Sequence, residues 1–237
     1  MGTRNYNLEE PVIKPETLSL DEVPAQLLNL TRKCLQHPSE YLVPPPAFRQ
    51  DRGWVWRAIG RTYLRLAGWR IEGTFPADPK YVVIVAPHTS NWDFTLGVAV
   101  VFAVELRVSW LGKHRLFKAP FKKFLRGLGG IPVDRGASHG VVGECVRAFN
   151  AAPTLMLALA PEGTRKGVSH WKTGFYLIAS KVGVPILPVG FDYREHVVRL
   201  MPLFHPSGNL EQDLPLIQAL FSDVHGCRQR PIEKANE

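Results

Sequence analysis

Apolar and polar positions along the 237-residue chain change their period several times. Tyr81–Ala86 is an unbroken apolar run, as long as a strand buried on both faces. A helix-like stretch follows from about Asn91. Val108–Gly112 reads as a short strand, Gly130–Asp134 as another, and Val141–Asn150 as a helix. Leu155–Ala160 is again strand-like, Trp171–Val182 helical, and Pro185–Phe191 a strand. Strands alternating with helices predict an α/β sheet with helices on its faces. No repeat of fixed period is present.

The first 50 residues break this pattern. They hold seven of the 20 prolines, Pro44-Pro45-Pro46 among them, and leave room for one helix over Asp21–Gln36. Residues 1–50 are read as an arm ending in a stiff linker. In Trp54–Arg70, by contrast, Arg57, Arg61 and Arg65 recur every four residues and form one cationic stripe on a helix. Trp54, Val55, Trp56, Ile59, Tyr63, Leu66 and Trp69 occupy much of the remaining surface. Arginine beside tryptophan suits a helix lying in a headgroup layer, although a surface helix packed on a core has a similar composition. Residues 51–72 are assigned to this helix.

Charge and cysteine content narrow the setting. Lys and Arg number 29 against 21 Asp and Glu, a net charge of +8, which favours anionic company. Arg107–Arg126 carries seven of the cations (Lys113, Lys122 and Lys123 among them) and no acid, interleaved with Phe117, Phe121 and Phe124. Such a run suits anionic headgroups, an acidic carrier protein or the phosphates of CoA. Nucleic acid is not expected as a partner, because the excess is local and no nucleic-acid module is recognisable. Cys34, Cys145 and Cys227 are odd in number and lack CxxC spacing, which fits a reducing compartment and no structural zinc. The start has no signal-peptide apolar run. Phe94–Val104, the longest charge-free apolar stretch in the middle of the chain, has 11 residues, where a membrane span needs roughly 20.

Four segments at predicted strand ends hold the candidate chemistry, and strand ends are where open α/β sheets place their ligands. They are Ala86–Phe94, Gly129–Arg135, Pro161–Arg165 and Val184–Val189. His88 and Asp93 would point apart on one continuous helix, since five residues turn it about 500°. They meet only if His88 sits in the turn before the helix and Asp93 in its first turn. An Asp bonded to one imidazole nitrogen fixes the tautomer and leaves the other nitrogen to take a proton. The proton can come from a substrate hydroxyl that attacks an acyl carbon, so no serine is required. A His and Asp at a strand end also occur as plain structural pairs.

Taken together and in this order, the four segments resemble the glycerolipid acyltransferases, the lysophosphatidic acid acyltransferases and their relatives, over about residues 54–195. The H-x4-D motif matches as His88–Asp93, the second motif as Gly130–Arg135, the third as Glu162–Arg165 and the fourth as the Pro185–Pro188 strand. The resemblance implies a glycerol-3-phosphate acyltransferase-like fold, a mixed central sheet flanked by helices, over residues 73–237. It implies acyl transfer from an acyl-CoA or acyl-carrier-protein thioester to the hydroxyl of a lysophospholipid acceptor, with no cofactor or metal. His88 would be the general base and Asp93 its orienting partner. Arg135 would hold the acceptor phosphate, and Glu162, Gly163, Thr164 and Arg165 would complete its pocket. Lys113, at a strand end, is a further candidate for the phosphate. The expected location is peripheral, on the cytoplasmic face of a membrane. Lys123 departs from the pattern, standing where many members carry glycine.

Other matches carry less. Gly136–Gly140 fits G-x-S-x-G around Ser138, which makes a serine esterase the alternative enzyme, but polar Asp134-Arg135 precedes it where a nucleophile elbow needs an apolar strand end. A non-enzymatic basic protein that binds lipid surfaces is the other alternative. S-x-x-K and K-T-G matches share one residue, Lys172, so they cannot form two elements of a site. His139, His170 and His205 lack partners at metal-ligand spacing.

Overall fold

A computed structural model of the protein describes residues 12–13, 42–133, 140–163 and 171–228. The Asp21–Gln36 helix, Cys34, Asp134, Arg135, Ser138, His139, Thr164, Arg165 and His170 lie outside the described residues. The strands are β1 (Val12–Ile13), β2 (Arg70–Glu72), β3 (Lys80–Ala86), β4 (Ser109–Lys113), β5 (Gly130–Val133), β6 (Leu155–Leu159), β7 (Ile186–Asp192), β8 (Val197–Leu200) and β9 (Leu203–Phe204). The helices are α1 (Trp54–Leu66), α2 (Trp92–Ala103), α3 (Lys122–Gly127), α4 (Gly140–Ala151), α5 (Gly174–Val182) and α6 (Leu210–Ala219).

All the strands join one mixed sheet, in the order β1-β9-β7-β3-β6-β4-β5, with β8 pairing both β7 and β2. β3 runs parallel to β7 and to β6, which is parallel to β4, and β4 to β5. The carboxyl ends of these five strands therefore share one edge. β8 and β9 pair antiparallel to β7.

The unbroken apolar run of β3 follows from its central place. Val82, Ile84 and Ala86 face a core shared with Cys145 and Phe149 of α4, Phe175 and Ile178 of α5, and Leu216 and Ile217 of α6. Tyr81 and Val83 face the opposite core, shared with Leu64 of α1 and Leu96, Ala99 and Ala103 of α2. With both faces covered, every second position cannot be polar. Truncating Ile84, which is fully buried, to alanine would cost about 2–5 kcal/mol.

Two assignments near the N-terminus need correction. The helix assigned to residues 51–72 ends at Leu66, where the Trp69 N–H turns back to the Leu64 carbonyl at 2.7 Å and closes the helix end. Arg70–Glu72 is then free to pair with β8 as a strand. The linker end of the 1–50 arm is also built into the fold. Phe48 is buried with its ring 5.2 Å from that of Tyr81, and the Arg107 N–H bonds the Phe48 carbonyl at 2.7 Å. No helix among the described residues is long and apolar enough to cross a membrane.

Candidate active site

Beyond β3 the chain turns through Pro87 and His88 and enters α2 with Asp93 in its first turn. The Asp93 carboxylate reaches back over this turn. Its Oδ2 accepts the Thr89 and Ser90 N–H groups, each at 2.8 Å, and stands 3.0 Å from His88 Nδ1. A first-turn acid closing on preceding N–H groups is the reach-back of a capping box, here carrying an imidazole as well. The five-residue spacing thus has a local cause: one carboxylate holds both the turn and the ring. The Asp93 side chain is 1% exposed and that of His88 21%, so the imidazole meets solvent while the carboxylate does not.

Burial pushes the Asp93 carboxyl up, but the bonds from His88, the Ser90 N–H and the Tyr193 hydroxyl outweigh it and leave the group below its ordinary value. Asp93 therefore stays ionised beside His88 at neutral pH, an arrangement that favours the tautomer with its proton on Nδ1.

Glu162, just after β6, is buried and accepts the His88 N–H on Oε1 at 3.1 Å. It was expected in an acceptor pocket; here one of its oxygens ties the third motif to the first. Gly163 adopts a φ of +64°, and a Cβ there would lie 2.8 Å from the Lys172 side chain. Lys172 in turn donates its N–H to the Pro161 carbonyl at 2.7 Å. Lys113 ends β4 at the same sheet edge. Arg135, Thr164 and Arg165 follow segments that reach this edge and lie outside the described residues.

Several backbone N–H groups at the entry to α2 are spent within the turn: those of Thr89 and Ser90 are bonded to Asp93, that of His88 to Glu162 and that of Trp92 to Ser90 Oγ at 3.2 Å. These four are already committed.

Sequence reasoning also missed part of the site. The Tyr193 hydroxyl donates to Asp93 Oδ1 at 2.7 Å. The Arg228 N–H bonds Thr89 Oγ1 at 3.2 Å, and Gly226 packs on Thr89 and Pro87. No spacing rule links residue 193 or 228 to residue 93, so no signal in the chain alone marked them. Among the described residues no three His, Cys, Asp or Glu side chains gather as a metal site requires. Cys145 is no nucleophile: it is buried in the core, and burial, with the Glu144 charge, pushes its thiol up to about 11.

A mixed sheet flanked by helices, with a histidine held by a buried aspartate at its carboxyl edge, defines the α/β class of this protein. Residues 70–192 match the family described as Acyltransferase, and the chain belongs to it. Over 147 residues it is 33% identical to the 1-acyl-sn-glycerol-3-phosphate acyltransferase of Haemophilus influenzae, covering 58% of this chain and 59% of that protein. The enzyme of the same name from Escherichia coli is 32% identical over 144 residues, 55% of this chain and 57% of that one. The chain thus spans less than two thirds of the curated relatives it matches. The crystal structure of the 1-acyl-sn-glycerophosphate (LPA) acyltransferase PlsC from Thermotoga maritima superposes with a TM-score of 0.51 at 19% identity, over 70% of this chain and 77% of that one. That likeness concerns the fold.

Proposed function

We propose that the protein transfers a fatty acyl group from an acyl-CoA or acyl-carrier-protein thioester to the hydroxyl of a lysophosphatidic-acid-type acceptor, in phospholipid biosynthesis at a membrane surface. The observation that carries this reading is the 3.0 Å contact between His88 Nδ1 and Asp93 Oδ2, at the carboxyl edge of the sheet in a chain of this family. The names of the relatives support the choice of acceptor.

In the mechanism that follows, His88 Nε2 takes the acceptor hydroxyl proton while Asp93 stabilises the imidazolium. The hydroxyl oxygen bonds the thioester carbonyl carbon, and the C–S bond breaks as the tetrahedral centre collapses. The departing thiolate recovers the proton from Nε2, so the base returns to its starting state. A thiolate leaves readily without a metal. Lys113, Arg135 and Arg165 are the cations proposed to hold the acceptor phosphate.

Two exposed patches support the membrane surface. Trp54, Val55, Trp56, Ile59 and Leu66 of α1 are exposed. So are Phe121 and Phe124, beside Lys118, Lys122, Lys123 and Arg126. The arginine stripe of α1 contributes less than its spacing suggested. Arg57 pairs with Glu105 at 3.2 Å, and Arg61 bonds the Ala103 carbonyl at 3.1 Å, so both tie α1 to the end of α2.

Mass spectrometry of the lipids after incubation with acyl-CoA and lysophosphatidic acid tests the reaction. Phosphatidic acid is the expected product. Free fatty acid with no acylated acceptor would overturn the reading.

A further inference from the structure

Tyr193 stands directly after β7, one residue beyond the stretch that matches the family. Its hydroxyl donates to Asp93 Oδ1 at 2.7 Å, on the carboxylate oxygen that does not face His88. The rest of the residue is held in place. Its ring meets that of Trp69 edge-on with centroids 4.9 Å apart, and its N–H bonds the His225 carbonyl at 2.8 Å. The titratable groups around it are Asp93 and, further off, Tyr63 and Cys227, with His88 and Glu162 beyond the carboxylate.

We propose that Tyr193 is a positioning residue of the His88–Asp93 pair, which fixes the plane of the carboxylate and takes up part of its charge on the oxygen turned away from His88. The inference rests on His88 acting as the base. A carboxylate torsion is an sp³–sp² rotor with a broad minimum, so a single strong bond on Oδ1 narrows it and keeps Oδ2 aimed at the imidazole. The same donor draws negative charge away from the side facing His88. Removing the hydroxyl would leave more of that charge on the side that faces the imidazole. Burial and the bond and charge of Asp93 keep the phenol well above its ordinary value, so the hydroxyl remains a donor wherever the enzyme would work.

Tyr193→Phe keeps the ring on Trp69 and removes the donor alone. The expected result is a kcat lower by about tenfold with KM within about twofold, as for loss of orientation of a general base. The acidic limb of kcat/KM and the His88 titration followed by NMR should both move up by about half a pH unit, corresponding to roughly threefold in affinity for the proton. A fluorinated tyrosine at position 193, a stronger donor that preserves the bond, should move both the other way and tests the idea even if Tyr193→Phe folds poorly. A His88 titration unmoved in both variants overturns the proposal, and so does an unchanged kcat. His88→Ala, run alongside, separates the two claims: an active His88→Ala sinks the base itself, whereas an inactive one beside unmoved titrations sinks only the role of Tyr193.

Discussion

Asp93 does two jobs with one carboxylate, and the two respond differently to substitution. In Asp93→Asn the amide oxygen can still accept the Thr89 and Ser90 N–H groups, and the amide NH₂ can face the Tyr193 hydroxyl. The turn is therefore expected to survive at a cost of about 1–2 kcal/mol, while the imidazolium loses its counter-charge. Acyl transfer should fall by roughly 10²–10⁴-fold, measured at saturating acceptor. The pH dependence of stability follows from the same residue. Its carboxyl is depressed in the folded state, so its contribution is present above the unfolded value of about 4 and is lost as pH falls through the folded one. Urea unfolding at pH 5 and pH 3 should show a larger acid loss for wild type than for Asp93→Asn. The His88–Asp93 pair was legible because its cause is local, a first-turn acid reaching back over five residues. Tyr193 and Glu162 reach the same site across separate strands, and one-dimensional spacing does not record which strand ends lie side by side.

At the scale of elements, legibility tracked the length of the uninterrupted apolar run. β3, β6 and β7 are strands in the core of a sheet, and their apolar runs appear plainly in the chain. β8 and β9 are four and two residues long, and β8 carries Arg199, so neither has a readable period. The six-residue α3 was hidden within the basic run. α6 was missed too, although its Asn209 cap is ordinary; what anchors it is long-range, the Tyr176 hydroxyl of α5 bonding Asp213 at 2.7 Å. The α1–α2 packing rests on Gly60, where a Cβ would lie 2.5 Å from the Ala103 nitrogen and 2.6 Å from the Ala99 carbonyl oxygen. Both are backbone atoms and cannot swing aside. Gly60→Ala should therefore destabilise by about 1–3 kcal/mol in urea titration, despite the better helix propensity of alanine, whereas a stabilised variant would show that α1 packs more loosely than described.

For the whole molecule, the proposed membrane surface combines apolar side chains on α1 with the basic and aromatic stretch around α3. Binding to vesicles that contain anionic lipid should weaken steeply between low and high salt, because the exposed charges are screened within about 10 Å at 0.1 M. Lys122→Glu with Lys123→Glu should weaken it further at low salt, and equal binding to neutral vesicles would contradict the charged part of that surface. The central claim concerns chemistry and is met most directly by thiol release from long-chain acyl-CoA, with and without lysophosphatidic acid, in wild type, His88→Ala and Ser138→Ala. The account predicts acceptor-dependent release that persists in Ser138→Ala and falls by roughly 10²–10⁴-fold in a folded His88→Ala. Release that ignores the acceptor, survives in His88→Ala and stops in Ser138→Ala would contradict it and identify a hydrolase instead.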